Sequence, residues 1–221
     1  MTLPGETRVP DGTLLYKGAE ADVIKAGWCG HEAVYKVRKA LPYRLPVLDS
    51  EIRRQRTIHE AEMIGSAKVA GVQTPYLYFV DPLGATLVME YVKGVRMKDL
   101  VSSAPGKEAA GLFERLGADA ARLHLAGIMH GDLTTANVVK RGENLVFLDF
   151  GLSIHSLRVE DHAVDLRLIK ETIVGAHSEV AELALNSLFN GYTRVAGADR
   201  AKVVVRQLRG IERRGRYARV E

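Results

Sequence analysis

One cysteine, Cys29, among 221 residues excludes an internal disulfide framework. A lone thiol fits a reducing compartment, and the flanking Gly27-Trp28 and Gly30 place it in a hairpin turn as an incidental group. No Cys/His spacing resembles a zinc site. Apolar runs are short. None approaches the roughly 20 residues that cross a bilayer, and the opening MTLPGETRVPDG lacks the basic-then-apolar order of a signal segment. The expectation is a cytoplasmic protein with no membrane partner. There is neither an internal repeat nor a low-complexity stretch. A content of 47% hydrophobic and 26% charged residues is that of a globular chain long enough to bury a full core.

Charge is present but uneven. The chain's net charge is +4, yet residues 200–221 hold eight Lys/Arg against Glu212 and Glu221, a net of +6. Arg53, Arg54 and Arg56 form a second basic group. Such segments suit polyphosphate partners and equally form the solvated face of a helix. Strands are expected at 14–16, at 22–26 and 33–37 around the Gly27–Gly30 turn, and at 76–80 and 86–90. A helix from about 50 to 69 has Asp49 or Ser50 as its cap and only a partial apolar stripe, Ile52, Ile58, Met63 and Ile64. After Lys93-Gly94 the pattern turns helical. Residues 107–126 place Phe113, Leu116, Ala120 and Leu123 at three- and four-residue steps, and further helices run from about 164 to 175, from about 178 to 191 and from 199 onward. The fold class is α+β: a small β-rich lobe, residues 1–91, and a larger helical lobe, residues 92–221.

Residues 129–151, MHGDLTTANVVKRGENLVFLDFG, carry the most chemistry. Asp132 follows His130-Gly131, Asn137 comes five residues later, and an apolar run delivers Asp149 into Asp-Phe-Gly. The order resembles the catalytic and metal loops of the protein-kinase fold, H-x-D-x-x-x-x-N…D-F-G. That resemblance implies ATP and Mg²⁺. Asp132 would orient the attacking oxygen, Asn137 and Asp149 would hold the metal, and His130 would brace the loop. Upstream, Ala33-Val34-Tyr35-Lys36 looks like the strand whose lysine contacts the α- and β-phosphates. Glu60 is its best helix partner, with Glu62 and Glu51 behind it. Val88-Met89-Glu90-Tyr91-Val92 resembles an adenine-reading hinge, with Met89 as gatekeeper and Glu90 and Val92 giving main-chain hydrogen bonds. Lys17-Gly18-Ala19-Glu20-Ala21 stands where a kinase has three glycines, and the N–H groups of Gly18, Ala19, Glu20 and Ala21 would cover the phosphates.

The departures from an ordinary kinase all point one way. Gly131 replaces the arginine of H-R-D, and Thr134 and Thr135 stand where many kinases have a lysine. Asp165 comes only sixteen residues after Asp149, and no A-P-E follows. The catalytic centre is kept while the peptide platform is reduced. The ordered set K-G-A-E-A, Pro42-Tyr43-Arg44, R-x-x-R-T-x-x-E-A, H-G-D-L-T-T-x-N, D-F-G-L-S, V-D-L and a terminal R-G-R-Y resembles one family over about residues 12–219. It is that of the small atypical Ser/Thr kinases of the KEOPS (EKC) complex, the p53-related protein kinase family, and the chain looks more like its archaeal than its animal members. The resemblance implies a reduced bilobal kinase-like fold and an Mg-ATP enzyme that can autophosphorylate but acts chiefly as an ATPase. It further implies support for a threonylcarbamoyl-transferase subunit that forms N6-threonylcarbamoyladenosine on tRNA, a second small subunit on the N-lobe, and a basic tail facing the transferase and tRNA. Three alternatives stand beside it. An independent RIO-like protein kinase also has short loops, but the usual Ser-Glu-Tyr/Asn catalytic sequence is absent here. A non-enzymatic scaffold has no need of Lys36, Asp132, Asn137 and Asp149 together. An aminoglycoside-type phosphotransferase shares H-G-D…N…D, but a basic tail has the wrong sign for cationic sugars.

Overall fold

The structure, a computed structural model, describes residues 10–101 and 106–217. The first nine residues, Arg219 and the side chain of Arg216 in the basic tail lie outside what is described. The chain divides into two compact units, one formed by the residues up to 65 with 75–93, the other by 66–74 with those from 94 onward.

The first unit is built on a five-stranded antiparallel sheet: β1 (Thr13–Lys17), β2 (Ala21–Trp28), β3 (His31–Arg38), β4 (Leu77–Asp81) and β5 (Thr86–Glu90), in the order β1-β2-β3-β5-β4. The β2–β3 turn has two central residues, Cys29 at φ 47° and Gly30 at φ 83°. A tight hairpin turn of the primed type needs that left-handed pair. Alternation along β3 sends Ala33 and Tyr35 into a small core with Val88, and Lys36 to the other face. Trp28 closes that core, stacked on Phe79 at 5.5 Å between ring centroids.

Helix α1 (Pro46–Val69) begins four residues before its expected start, because proline suits the first helical position. Asp49 is therefore inside the helix and not its cap. It is buried, accepting from Arg53 at 2.8 Å and from the Leu41 N–H at 3.4 Å. Beyond Asp49, the buried positions of α1 are Thr57, Glu60, Met63, Ile64 and Ala67, spaced as one helical stripe. With Asp49, three of the six buried positions are polar, so apolar periodicity alone gives a thin signal.

The second unit holds α2 (Met97–Val101), α3 (Gly106–Leu125) and three short strand pairings: β6 (Val95–Arg96) with β8 (Val138–Arg141), β8 with β9 (Asn144–Phe147), and β7 (Ile128–Met129) with β10 (Ile154–His155). They bracket the loops that carry Asp132 and Asp149. Helix α4 (Val159–Ala176) starts five residues before expectation, with Glu160 and Asp161 in a polar first turn that hides its periodicity and suits its N-terminal dipole. The helix expected over 178–191 is a 3-10 turn, Ser178–Val180, and then α5 (Ala181–Ala196). Gly191 lies inside α5 because α3 and α5 cross backbone to backbone. A Cβ there would sit 1.8 Å from the Glu114 carbonyl oxygen, and one on Gly117 would sit 1.9 Å from that of Leu188. Helix α6 (Ala198–Tyr217) buries Ala201, Val204, Leu208 and Ile211, and packs on α4 and α5.

Candidate active site

The catalytic-loop segment is held by its own short-range geometry. Asn137 ends a 3-10 turn, Thr135–Asn137, and its Nδ2 donates to the Asp132 carbonyl at 3.0 Å and to Asp132 Oδ2 at 2.7 Å. Only the amide nitrogen can donate to a carboxylate, so these bonds fix the orientation of Oδ1. The Leu148 N–H donates to the Asn137 carbonyl at 2.8 Å, which joins the loop of Asp132 and Asn137 to the strand end that carries Asp149. Asp149 has φ 55°, a left-handed conformation for a residue with a Cβ, and its Oδ1 accepts the Gly151 N–H at 3.2 Å. Strain of this kind concentrates at functional positions. Asn137 and Asp149 offer hard oxygen donors of the type Mg²⁺ takes. No group of three or more His, Cys, Asp or Glu forms a metal cluster among the described residues, and Mg²⁺ ordinarily completes its shell with phosphate oxygens and water.

The turn before Asp132 explains Gly131. Its φ is 82°, and a Cβ would stand 2.2 Å from the Leu152 carbonyl oxygen. An arginine cannot occupy this position without moving the Leu152 backbone. His130 is fully buried against Phe150, 4.7 Å between ring centroids, and its Nδ1 accepts the Asp132 N–H at 3.3 Å. An accepting Nδ1 belongs to a neutral ring, and burial pushes the His130 pKa down to the same effect. Ser153 Oγ donates to the His130 carbonyl at 2.8 Å. Thr135, on the lysine side of the kinase pattern, is buried with its hydroxyl 3.0 Å from His177 Nε2.

Asp165 received no role from the sequence and has a central place here. Its carboxylate accepts the N–H of His130 at 2.6 Å and of Gly131 at 2.8 Å, and approaches His124 Nε2 at 3.3 Å. Burial alone would raise its pKa, but these partners hold it below the usual carboxylate value. The signal available was V-D-L downstream of the shortened loop, which spacing alone leaves anonymous.

In the first unit, Lys36 Nζ donates to Glu60 Oε1 at 2.7 Å, and Glu60 is fully buried. Its other oxygen, Oε2, accepts from Arg38 at 2.5 Å. Arg38 is a second cation that the sequence reading passed over. It stands two residues after Lys36, on the same face of β3. Glu51 instead pairs with Arg54, and Glu62 is exposed. In Gly18-Ala19-Glu20-Ala21 the Gly18 N–H donates to the Ala21 carbonyl at 2.9 Å, and the Glu20 side chain turns to Arg44, at 3.1 Å, and Arg56. Met89 is buried at the end of β5. The Glu90 N–H is already donated to the Tyr76 carbonyl at 2.8 Å, and Val92 is half-buried just beyond the strand.

Comparisons with known proteins bear on the family and the fold. The model of the RIO domain matches residues 47–167. A probable bifunctional tRNA threonylcarbamoyladenosine biosynthesis protein of Methanothermobacter thermautotrophicus is 41% identical over 92% of the chain, which spans 36% of that relative's length. The KEOPS complex subunit Bud32 of Pyrococcus abyssi is 35% identical over 92% of the chain and 96% of its own length. Among solved structures, the Rio2 kinase–ADP/Mg²⁺-phosphoaspartate complex from Chaetomium thermophilum aligns with a TM-score of 0.63 at 19% identity, over 92% of this chain and 70% of that one. This likeness shows the fold, an atypical-kinase one. The RIO-domain match stands although the Ser-Glu-Tyr/Asn sequence usual in RIO-type chains is absent. The chain belongs to the RIO-domain family and, within it, to the family of Bud32-type KEOPS subunits.

Proposed function

We propose that this chain is an Mg-ATP-dependent atypical kinase and ATPase that works in a KEOPS complex and supports threonylcarbamoyladenosine formation on tRNA. The observation that carries the reading is the braced Asp132–Asn137–Asp149 segment, in a chain that matches a Bud32 subunit over nearly its full length. Asp132 orients the attacking oxygen and takes up its proton as that oxygen bonds to the γ-phosphorus and ADP leaves. With water as acceptor the products are ADP and inorganic phosphate; with a Ser/Thr hydroxyl they are ADP and a phosphoester. Asn137 and Asp149 hold Mg²⁺, which neutralises charge on the phosphates when bound. Lys36, steadied by Glu60, takes the α- and β-phosphates. Main-chain groups of Glu90 and Val92 read the adenine edge beside Met89, and Gly18 to Ala21 cover the phosphates.

The short stretch between Asp149 and Asp165 leaves little chain to grip a peptide, which favours water, the protein itself or a complex partner as acceptor. The partners in this reading are a threonylcarbamoyl-transferase subunit, a small subunit on the N-lobe, and tRNA met by the basic helix α6. Reconstitution tests it. ATP turnover and tRNA modification should both rise when the chain meets a transferase subunit and tRNA, and Asp132→Ala should abolish the gain. A chain that instead phosphorylates a defined exogenous protein at roughly 1–100 per second would be an independent RIO-like kinase.

A further inference from the structure

Behind the catalytic loop lies a cluster of buried polar side chains that the proposed mechanism does not use. His124 of α3, His162 and Asp165 of α4 and Tyr192 of α5 are each fully buried. Arg200, in the first turn of the basic helix α6, reaches them: its Nη2 lies 3.2 Å from His162 Nδ1 and 3.2 Å from the His124 carbonyl oxygen. The ring of His162 stacks on that of His124, 4.4 Å between centroids and 8° between planes. His124 Nε2 approaches Asp165 at 3.3 Å, and Asp165 holds the N–H groups of His130 and Gly131. The next residue is Asp132.

The protons in this chain are fixed by its partners. The Ser156 carbonyl, 2.9 Å from His162 Nε2, can only accept, so Nε2 carries the hydrogen. Nδ1 is then the acceptor that the Arg200 guanidinium requires. His124 faces a carboxylate with Nε2 and the Tyr192 hydroxyl, at 2.9 Å, with Nδ1. The groups facing His162 are thus His124 from α3, Asp165 from its own helix, Tyr192 behind His124 on α5, Arg200 from α6 and the Ser156 carbonyl. Arg200 is half-buried, its Nε is shielded from solvent, and its charge acts on the Tyr192 hydroxyl as well as on His162. What it supplies, and an aliphatic side chain would not, is a fixed orientation for two stacked rings.

We propose that Arg200 is a positioning residue for the catalytic loop: through His162 and His124 it fixes Asp165, and so ties the first turn of α6 to the turn that carries Asp132. The proposal rests on the phosphoryl-transfer reading. A second measurement separates the two. Removing the guanidinium takes a cation away from His162 Nδ1, so that ring gains a proton more readily, and a charged His162 disturbs its stack with His124.

The test is ATP turnover against pH for the wild type, Arg200→Gln and the Arg200→Gln/His162→Asn double variant, with nitrogen NMR of the histidine rings in the ATP-free protein. Arg200→Gln should lower kcat roughly 3- to 30-fold while KM for ATP moves less than about twofold. The acid limb should move up by about one pH unit, and the double variant should lose that shift. In the rings, wild-type His162 should stay the neutral Nε2–H form from pH 8 to pH 5, and should titrate earlier in Arg200→Gln. A variant with wild-type kcat and pH profile, or a loss equal at every pH, overturns the proposal. If Arg200→Gln does not fold, the wild-type spectrum decides, since a His162 titrating near the ordinary 6.5 is incompatible with the geometry. Wild-type turnover that is absent, or indifferent to Asp132→Ala, would sink the phosphoryl-transfer reading instead, and the ring titrations would still test the Arg200 contacts.

Discussion

Gly131 shows how a single position can decide against the commoner kinase pattern. H-R-D would place a Cβ 2.2 Å from the Leu152 carbonyl oxygen and force φ 82° on a residue that disfavours it. Gly131→Arg, which restores the usual tripeptide, should therefore lower stability by roughly 2–4 kcal/mol in a denaturant titration and reduce turnover with it. A stable, fully active variant would show that the turn is not held as described. The grouping of Asp132, Asn137 and Asp149 in the candidate site was legible because these residues stand in a fixed order. Single residues gave no such signal. Arg38 and Asp165 act through contacts with Glu60 and with the His130-Gly131 backbone, and sequence distance does not show either contact.

At the scale of elements, the strands were legible because alternation and turn residues agree, as in β2 and β3 around Cys29-Gly30. Helix boundaries were less so, for physical reasons. Pro46 opens α1 where a proline reads as a break, the buried stripe of α1 includes Thr57 and Glu60, and Gly191 permits a close crossing where a glycine reads as a stop. Helix α6 gives the clearest relation of pattern to partner. Its apolar face is buried, while Lys202, Arg206, Arg209 and Arg213 are exposed at a spacing that keeps them on the other face. Replacing these four with Gln should weaken binding to tRNA and reduce the salt dependence of its log K by about 3–4, with ATP affinity little changed. An unchanged salt slope would remove this face from the proposed tRNA contact.

The whole molecule keeps several histidines buried and neutral. Burial pushes His130, His162 and His177 down, His162 to about 4. An unfolded ring binds its proton near pH 6.5, so below that value protonation favours the unfolded chain. Stability should be full above about pH 6.5 and decline as pH falls toward 4. Asp165, depressed by its partners, adds a further loss in more acid solution, and Asp119, raised by burial, opposes it. Thermal unfolding at pH 7.5 and pH 5 checks the sign; a midpoint that rises on acidification would contradict it.

The central claim is that the loop of Asp132 and Asn137, with Asp149, transfers the γ-phosphoryl group of ATP. Phosphate release from Mg-ATP by the purified chain, beside Asp132→Ala, tests it most directly. The expected result is slow release by the wild type and a loss of at least about 100-fold in the variant, with ATP still bound. Equal release by the two proteins, or no Mg-ATP binding by the wild type, would contradict it.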